Sequence, residues 1–179
     1  MNKVHVEHNS GINNDWYTPP RILDAARNAM GWINLDPASS DVAQTLVKAD
    51  HYFTEEDDGL TKDWFGSVWL NPPYAKGWVK KFMDKLHHEY IYGEVTQAIA
   101  LVNNGTETVW FQGAASGCSA ICLPKGRIRY LTADLSSSNG PLQGQVLMYF
   151  GRDVNSFVRS FADTGACFIV AQAAQQGAK

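Results

Sequence analysis

Apolar positions along this chain switch repeatedly between a helical and an extended period. Ile22, Leu23, Ala26 and Met30 follow Thr18-Pro19-Pro20 at helical spacing and stop at Gly31. That pattern predicts a helix capped by Thr18, with proline in its first turn and glycine past its end. Residues 32–35 read as a short strand running into Asp36-Pro37-Ala38-Ser39-Ser40. Residues 41–48 read as a short helix and 51–54 as a second strand. Beyond an acidic loop at 55–59, Ser67-Val68-Trp69-Leu70 is an apolar strand that ends at two successive prolines, which neither a central strand nor a helix interior accepts. Residues 78–90 form an amphipathic helix with Val79, Phe82, Met83 and Leu86 inward. Residues 97–102 form another strand, 106–115 a helix, and 119–123 and 145–150 two more strands, with 126–131 a further strand between them. Strands alternating with helices predict an α/β fold, a mainly parallel sheet with helices on both faces. Ligands of such sheets bind beyond the carboxyl ends of the strands, where Asp36 and Asn71 both fall.

Length and composition add one domain and little else. The chain has 179 residues, 45% hydrophobic and 18% charged, which suits a single core. That core is expected over 15–170, between a polar, aperiodic and flexible segment at 1–14 and an Ala/Gln-rich tail at 171–179. The net charge of -3 excludes nucleic-acid binding by bulk charge, so any such role needs a local basic surface. Lys76, Lys80, Lys81 and Lys85 form one candidate group and Lys125, Arg127 and Arg129 another; either also suits a solvated face. In a strand, Arg127 and Arg129 share a face that would grip phosphate, or would guard a sheet edge by charge. Cys118, Cys122 and Cys167 match no zinc or redox spacing and read as small core residues in a reducing compartment. His87 and His88 have no third ligand, so no metal is expected. With neither a signal peptide nor a membrane-spanning apolar run, a cytoplasmic location is expected.

The most specific chemistry lies in Asn71-Pro72-Pro73-Tyr74. The Asn71 side-chain carbonyl and the Pro72 backbone carbonyl are two acceptors, and proline restricts how the second is aimed. Such a pair suits an aromatic NH2 group, adenine N6 for example, whose lone pair is delocalised into the ring. Two acceptors pull the nitrogen toward tetrahedral geometry and turn its lone pair to an electrophile. Tyr74 offers a ring on which an extruded base stacks. A strand-ending turn is the plain alternative, but the apolar strand ahead of the tetrapeptide is the context the functional reading requires.

Through these residues the chain resembles the amino-methyltransferases, and within them the phage-type, Dam-like DNA N6-adenine methyltransferases. The resemblance runs from about Asp15 to Gly151 and is strongest at Val68-Trp69-Leu70-Asn71-Pro72-Pro73-Tyr74. It implies a Rossmann-like class I fold that uses S-adenosylmethionine as cofactor and DNA as substrate. Asn71, Pro72, Pro73 and Tyr74 then hold the target amine, and Asn71 is also expected among the cofactor contacts. Asp15-Trp16-Tyr17-Thr18-Pro19-Pro20 looks like the segment that meets the methionine end of the cofactor, through Tyr17, Thr18 and Pro19. Asp36, Pro37, Ala38 and Ser39 look like the first cofactor loop, and Asp58, with Leu60, like the loop at the cofactor's adenine. Two departures stand out: Ala38, Ser39 and Ser40 replace the usual close glycines, and the interval from Asp36 to Asp58 is short. Asp50 and Glu55 are both candidates for the acid at the cofactor ribose. DNA contacts are expected at Lys76, Lys80, Arg127, Arg129 and Tyr130 and around Ser136, with short or relaxed sequence specificity. Protection of phage DNA from restriction is the role such an enzyme implies. The rivals are RNA or protein-glutamine methylation and, from another class, a catalytically inactive phage DNA-binding accessory protein.

Overall fold

The run of apolar residues after Pro19 folds as α1 (Pro20–Met30), which buries Ile22, Leu23, Ala25, Ala26, Ala29 and Met30. Gly31 ends it with φ 80, a conformation that suits glycine, and its N–H donates to the Arg27 carbonyl at 2.7 Å. Thr18 does not cap this helix. Pro19 occupies the N-cap position, no side chain accepts there, and Thr18 is itself buried at 4% exposure. The computed structural model describes residues 16–75, 77–137 and 143–171. The expected flexible segment at 1–14, Lys76, Ser138, Asn139, Gly140 and the tail from residue 172 lie outside the described residues.

The remaining elements follow in order. They are β1 (Leu35–Asp36), α2 (Asp41–Val47), β2 (His51–Tyr52), a 3-10 turn (Gly59–Thr61), β3 (Phe65–Leu70), α3 (Trp78–Tyr92), β4 (Glu94–Asn103), α4 (Val109–Gly117), β5 (Ala120–Pro124), β6 (Gln145–Phe150), α5 (Val154–Phe161) and β7 (Gly165–Ile169). The strands form one sheet in the order β2-β1-β3-β4-β6-β5-β7. The first four are parallel, and β6 runs antiparallel to both β4 and β5, with β7 antiparallel to β5. The sheet is therefore mixed, parallel over the half that carries Asp36 and Asn71.

The central strands read as continuous apolar runs because both their faces are covered. Trp69, Ile99, Leu101, Leu147 and Tyr149 join the α1 and α5 residues in one cluster. Val68, Leu70, Ala98, Ala100, Val102, Val146, Met148 and Phe150 join the α3 and α4 residues in the other. Alternate residues of each strand thus serve opposite layers, as the period of two demands. Arg27 adds a tie between helices, donating to the carbonyls of Val47 at 2.8 Å and Leu46 at 3.3 Å at the end of α2.

Residues 126–131 do not form the expected ladder strand. Ile128 N–H donates to the Gln145 side chain at 3.0 Å, and Leu131 makes isolated antiparallel bridges to Tyr17 and Ser137. The alternation itself holds: Ile128 and Tyr130 are buried, while Arg127 and Arg129 are exposed on one side. The cysteines are free; Cys118 and Cys122 are buried and Cys167 is partly so. Burial pushes the Cys118 thiol up to about 12. Cys118 is therefore expected to resist alkylation at pH 8 until the protein unfolds, as mass spectrometry with and without denaturant will show.

Candidate functional site at the carboxyl ends of β1 and β3

β1 leads through α2 to β2 on one side, and β3 leads through α3 to β4 on the other. The chain thus changes direction between β1 and β3, the place where open α/β sheets leave a crevice. Asp36 ends β1 and Asn71 follows β3. The pairing of Leu35 with Val68 sets Asp36 level with Trp69, two residues short of Asn71.

Asp36 is 2% exposed. Its carboxylate accepts from the Gln44 side chain at 3.0 Å and, more weakly, from Ala38 N–H at 3.4 Å. Gln44 also donates to Ser39 Oγ at 2.8 Å and accepts from Ala49 N–H at 3.0 Å. It locks the Asp36–Ser39 loop onto α2, whose N-cap is Ser40 rather than Asp36. None of the ion pairs among the described residues involves Asp36. Burial without a cation pushes its pKa up to about 7, against the smaller opposing pull of its hydrogen bonds from Ser39, Ala38 and Gln44. A buried carboxyl with no countercharge fits a ligand that brings an ammonium group, as S-adenosylmethionine does.

The loop at 57–60 sits against this one. A Cβ on Gly59 would fall 2.0 Å from the Pro37 carbonyl oxygen, so only glycine permits the approach. Trp64 Nε1 donates to the Gly59 carbonyl at 2.8 Å and fixes the turn. Asp57 is committed to Thr54, through N–H at 2.9 Å and hydroxyl at 2.8 Å. Asp58 is exposed with φ 52, and its carboxylate has no hydrogen-bond partner among the described residues. Leu60 is half-buried against the α3 and α4 side of the core. Gly59→Ala is expected to cost about 1–3 kcal/mol by overpacking, read as a lower thermal midpoint.

Asn71 is half-buried, Pro72 buried and Pro73 exposed, so the corner opens to solvent on one side. The Asn71 side-chain NH2 donates to the Trp16 carbonyl at 3.3 Å, and Asn71 Oδ1 accepts from the Tyr74 hydroxyl at 3.1 Å. The Tyr74 hydroxyl also lies 3.1 Å from the Leu101 carbonyl and 3.1 Å from the Tyr130 hydroxyl. Among the described residues no donor reaches the Pro72 carbonyl. Burial holds the Tyr130 phenol up at about 12 and Tyr74 well above its ordinary value. Both are neutral hydroxyls at physiological pH, not bases.

The segment from Trp16 to Pro19 reaches this corner because Tyr17 and Leu131 exchange backbone hydrogen bonds at 2.9 and 2.8 Å. Tyr17, Thr18 and Pro19 are buried. On the basic side, Arg127 and Arg129 are exposed, and Lys80 is exposed but ion-paired with Asp84. Tyr130 faces away from the arginines into the core at 2% exposure, which corrects its placement on a DNA-contacting face. Gln44 and the Trp16 and Leu101 carbonyls are the contributors that sequence reasoning missed. A cavity of about 190 Å³ between α3 and α4, with Lys80, Asp84, His87 and Trp110 on its wall, lies apart from Asp36 and Asn71.

A family model described as DNA N-6-adenine-methyltransferase (Dam) matches residues 7–165. The chain belongs to that family. The mixed α/β sheet of this Dam-family chain is that of a class I methyltransferase. No curated protein and no solved structure matches it. The family match spans Asp36, Asp58 and Asn71-Pro72-Pro73-Tyr74 alike.

Proposed function

We propose that this chain transfers a methyl group from S-adenosylmethionine to the exocyclic N6 of adenine in DNA, at particular sites. The observation that supports this best is the acceptor pair at the tip of β3. Asn71 Oδ1 keeps one lone pair beyond its bond from Tyr74, and the Pro72 carbonyl has no donor among the described residues. The two N6 protons would be held there, which frees the nitrogen lone pair to attack. The cofactor supplies an electrophilic methyl on a sulfonium. With that group bound, N6 would take the methyl as the sulfur leaves with the S–C electron pair, and the N6 proton would pass to water on the open side of the corner. Positioning supplies most of the acceleration, since neither tyrosine is a base.

Asp36 would receive the cofactor's ammonium group, with Gln44 holding the carboxylate in place. Pro37, Ala38 and Ser39 would line the same end, and Tyr17, Thr18 and Pro19 would close it from the N-terminal segment. Asp58 would accept from the cofactor's adenine amine, with Leu60 against the ring. Of the ribose candidates, Asp50 sits at the amino end of β2, bonded to the Asn34 side chain, whereas Glu55 lies past its carboxyl end. Glu55 is therefore the better choice. Arg127 and Arg129 would grip backbone phosphate, which positions DNA without reading it, and Lys76 and Lys80 would add to that surface.

The test is methyl transfer from labelled cofactor to DNA, RNA and protein side by side. Label on N6 of adenine in DNA is expected. Label only in RNA or in glutamine of protein would move the substrate class, and absence of both transfer and cofactor binding would mark an inactive accessory protein.

A further inference from the structure

The hydroxyls of Tyr74 and Tyr130 carry two protons, yet they face three contacts of 3.1 Å each. Two of those contacts, Asn71 Oδ1 and the Leu101 carbonyl, are acceptors only. If Tyr74 donated to Tyr130, both carbonyls would face a hydroxyl oxygen without a proton. The arrangement closes only when Tyr130 donates to Tyr74 and Tyr74 donates toward the two carbonyls. We infer that Tyr130 is a positioning residue: its hydroxyl sets the donor direction at Tyr74, and through Tyr74 it holds Asn71 Oδ1 ready for the substrate amine.

One proton serves two carbonyls, so Asn71 Oδ1 is the acceptor with capacity to spare. When an amine donates to it, the Tyr74 proton settles on the Leu101 carbonyl at no cost in hydrogen bonds. The other end of the Asn71 amide is tied to the Trp16 carbonyl, which sets which atom faces Tyr74. The Trp16 ring lies beside Tyr130, with centroids 6.0 Å apart, so one residue meets both anchors, Asn71 through its carbonyl and Tyr130 through its ring. Without the Tyr130 hydroxyl the Tyr74 oxygen receives no donor, and in that buried setting the hub loses its fixed geometry. The Tyr130 hydroxyl meets Tyr74 and not Asn71 itself, so its effect is expected on turnover rather than on binding.

This inference rests on the N6-methylation reading and is tested by a double-mutant cycle on DNA methylation. Tyr130→Phe is expected to lower kcat about tenfold, the loss of one net hydrogen bond, with DNA KM and cofactor Kd unchanged. In a Tyr74→Phe background the same substitution is expected to change nothing further, because the group it acts through is gone. Thermal midpoints of all variants show whether folding is retained. Equal losses in both backgrounds, a shift in DNA KM with kcat intact, or no loss from Tyr130→Phe alone would overturn the inference. A wild-type protein that leaves DNA adenine unmethylated would instead overturn the proposed function, and that arm is read before any variant.

Discussion

Asn71→Ala is expected to reduce DNA adenine methylation roughly 10²–10³-fold in kcat, comparable to deleting one preorganised transition-state hydrogen bond. The reason is that Asn71 supplies one of two acceptors, and a single remaining carbonyl at Pro72 cannot hold both amine protons. Cofactor affinity should survive, because the carboxylate proposed to bind it sits at the end of another strand. Asn71→Asp makes the comparison sharper. It keeps an acceptor toward Tyr74 but turns a carboxylate oxygen toward the Trp16 carbonyl, where an N–H now donates at 3.3 Å. Its activity should fall between wild type and Asn71→Ala. Single-turnover rates measured with saturating cofactor and DNA decide the order. Undiminished methylation by Asn71→Ala would refute the mechanism.

Asp36→Asn is expected to weaken cofactor binding by at least about 30-fold, the lower end of the cost of removing one partner from a buried charge pair. The pH dependence carries the same message with a definite sign. In the free protein the Asp36 carboxyl is pushed up from its ordinary 3.8 to about 7. Affinity for an ammonium-bearing cofactor should therefore climb as pH rises toward and through 7, as the carboxylate forms, and the asparagine variant should lose that climb. Stability runs the other way. Between about 4 and 7 the folded protein holds a proton that the unfolded chain has released, so stability falls as pH rises across that window. A shift of this size corresponds to roughly 4 kcal/mol. In the absence of cofactor, Asp36→Asn should then be the more stable protein at pH 8. Calorimetric titration and urea unfolding at pH 5 and 8 check both signs.

Much of the parallel half was legible because its signals are local. The apolar run at Val68-Trp69-Leu70 and the prolines after it mark β3 and its end, and Gly31 marks the end of α1. What escaped was set by contacts distant in sequence. Thr18 looks like a cap, but it is buried in the segment that pairs with Leu131, and Pro19 takes the cap position. Residues 126–131 alternate like a strand, yet a side chain, Gln145, takes the Ile128 N–H. β7 has a weak pattern because it is an edge that leaves Phe168 and Ile169 exposed. α5 is different: Val154, Phe157, Val158 and Phe161 have helical spacing behind an Asp153 cap that accepts from Ser156 N–H at 2.9 Å, a signal present in the sequence and not used. At the candidate site, Asn71 and Asp36 stood out by motif and strand position. Gln44 did not, and Tyr130 stood out only as a DNA contact, since their places at the site depend on which carboxylates and hydroxyls the fold brings within 3 Å or so.

The position of β6 between β4 and β5 has a consequence for biosynthesis. Strands β1 to β4 fill one end of the sheet with no later strand between them, so they can assemble as soon as residue 103 has left the ribosome. Until residues 145–150 follow, β4 stands as a bare apolar border with unpaired peptide groups, the kind of edge on which nascent chains stick to one another. Translation arrest between those points should therefore yield aggregates or chaperone-bound chains, whereas release after β6 should yield soluble protein.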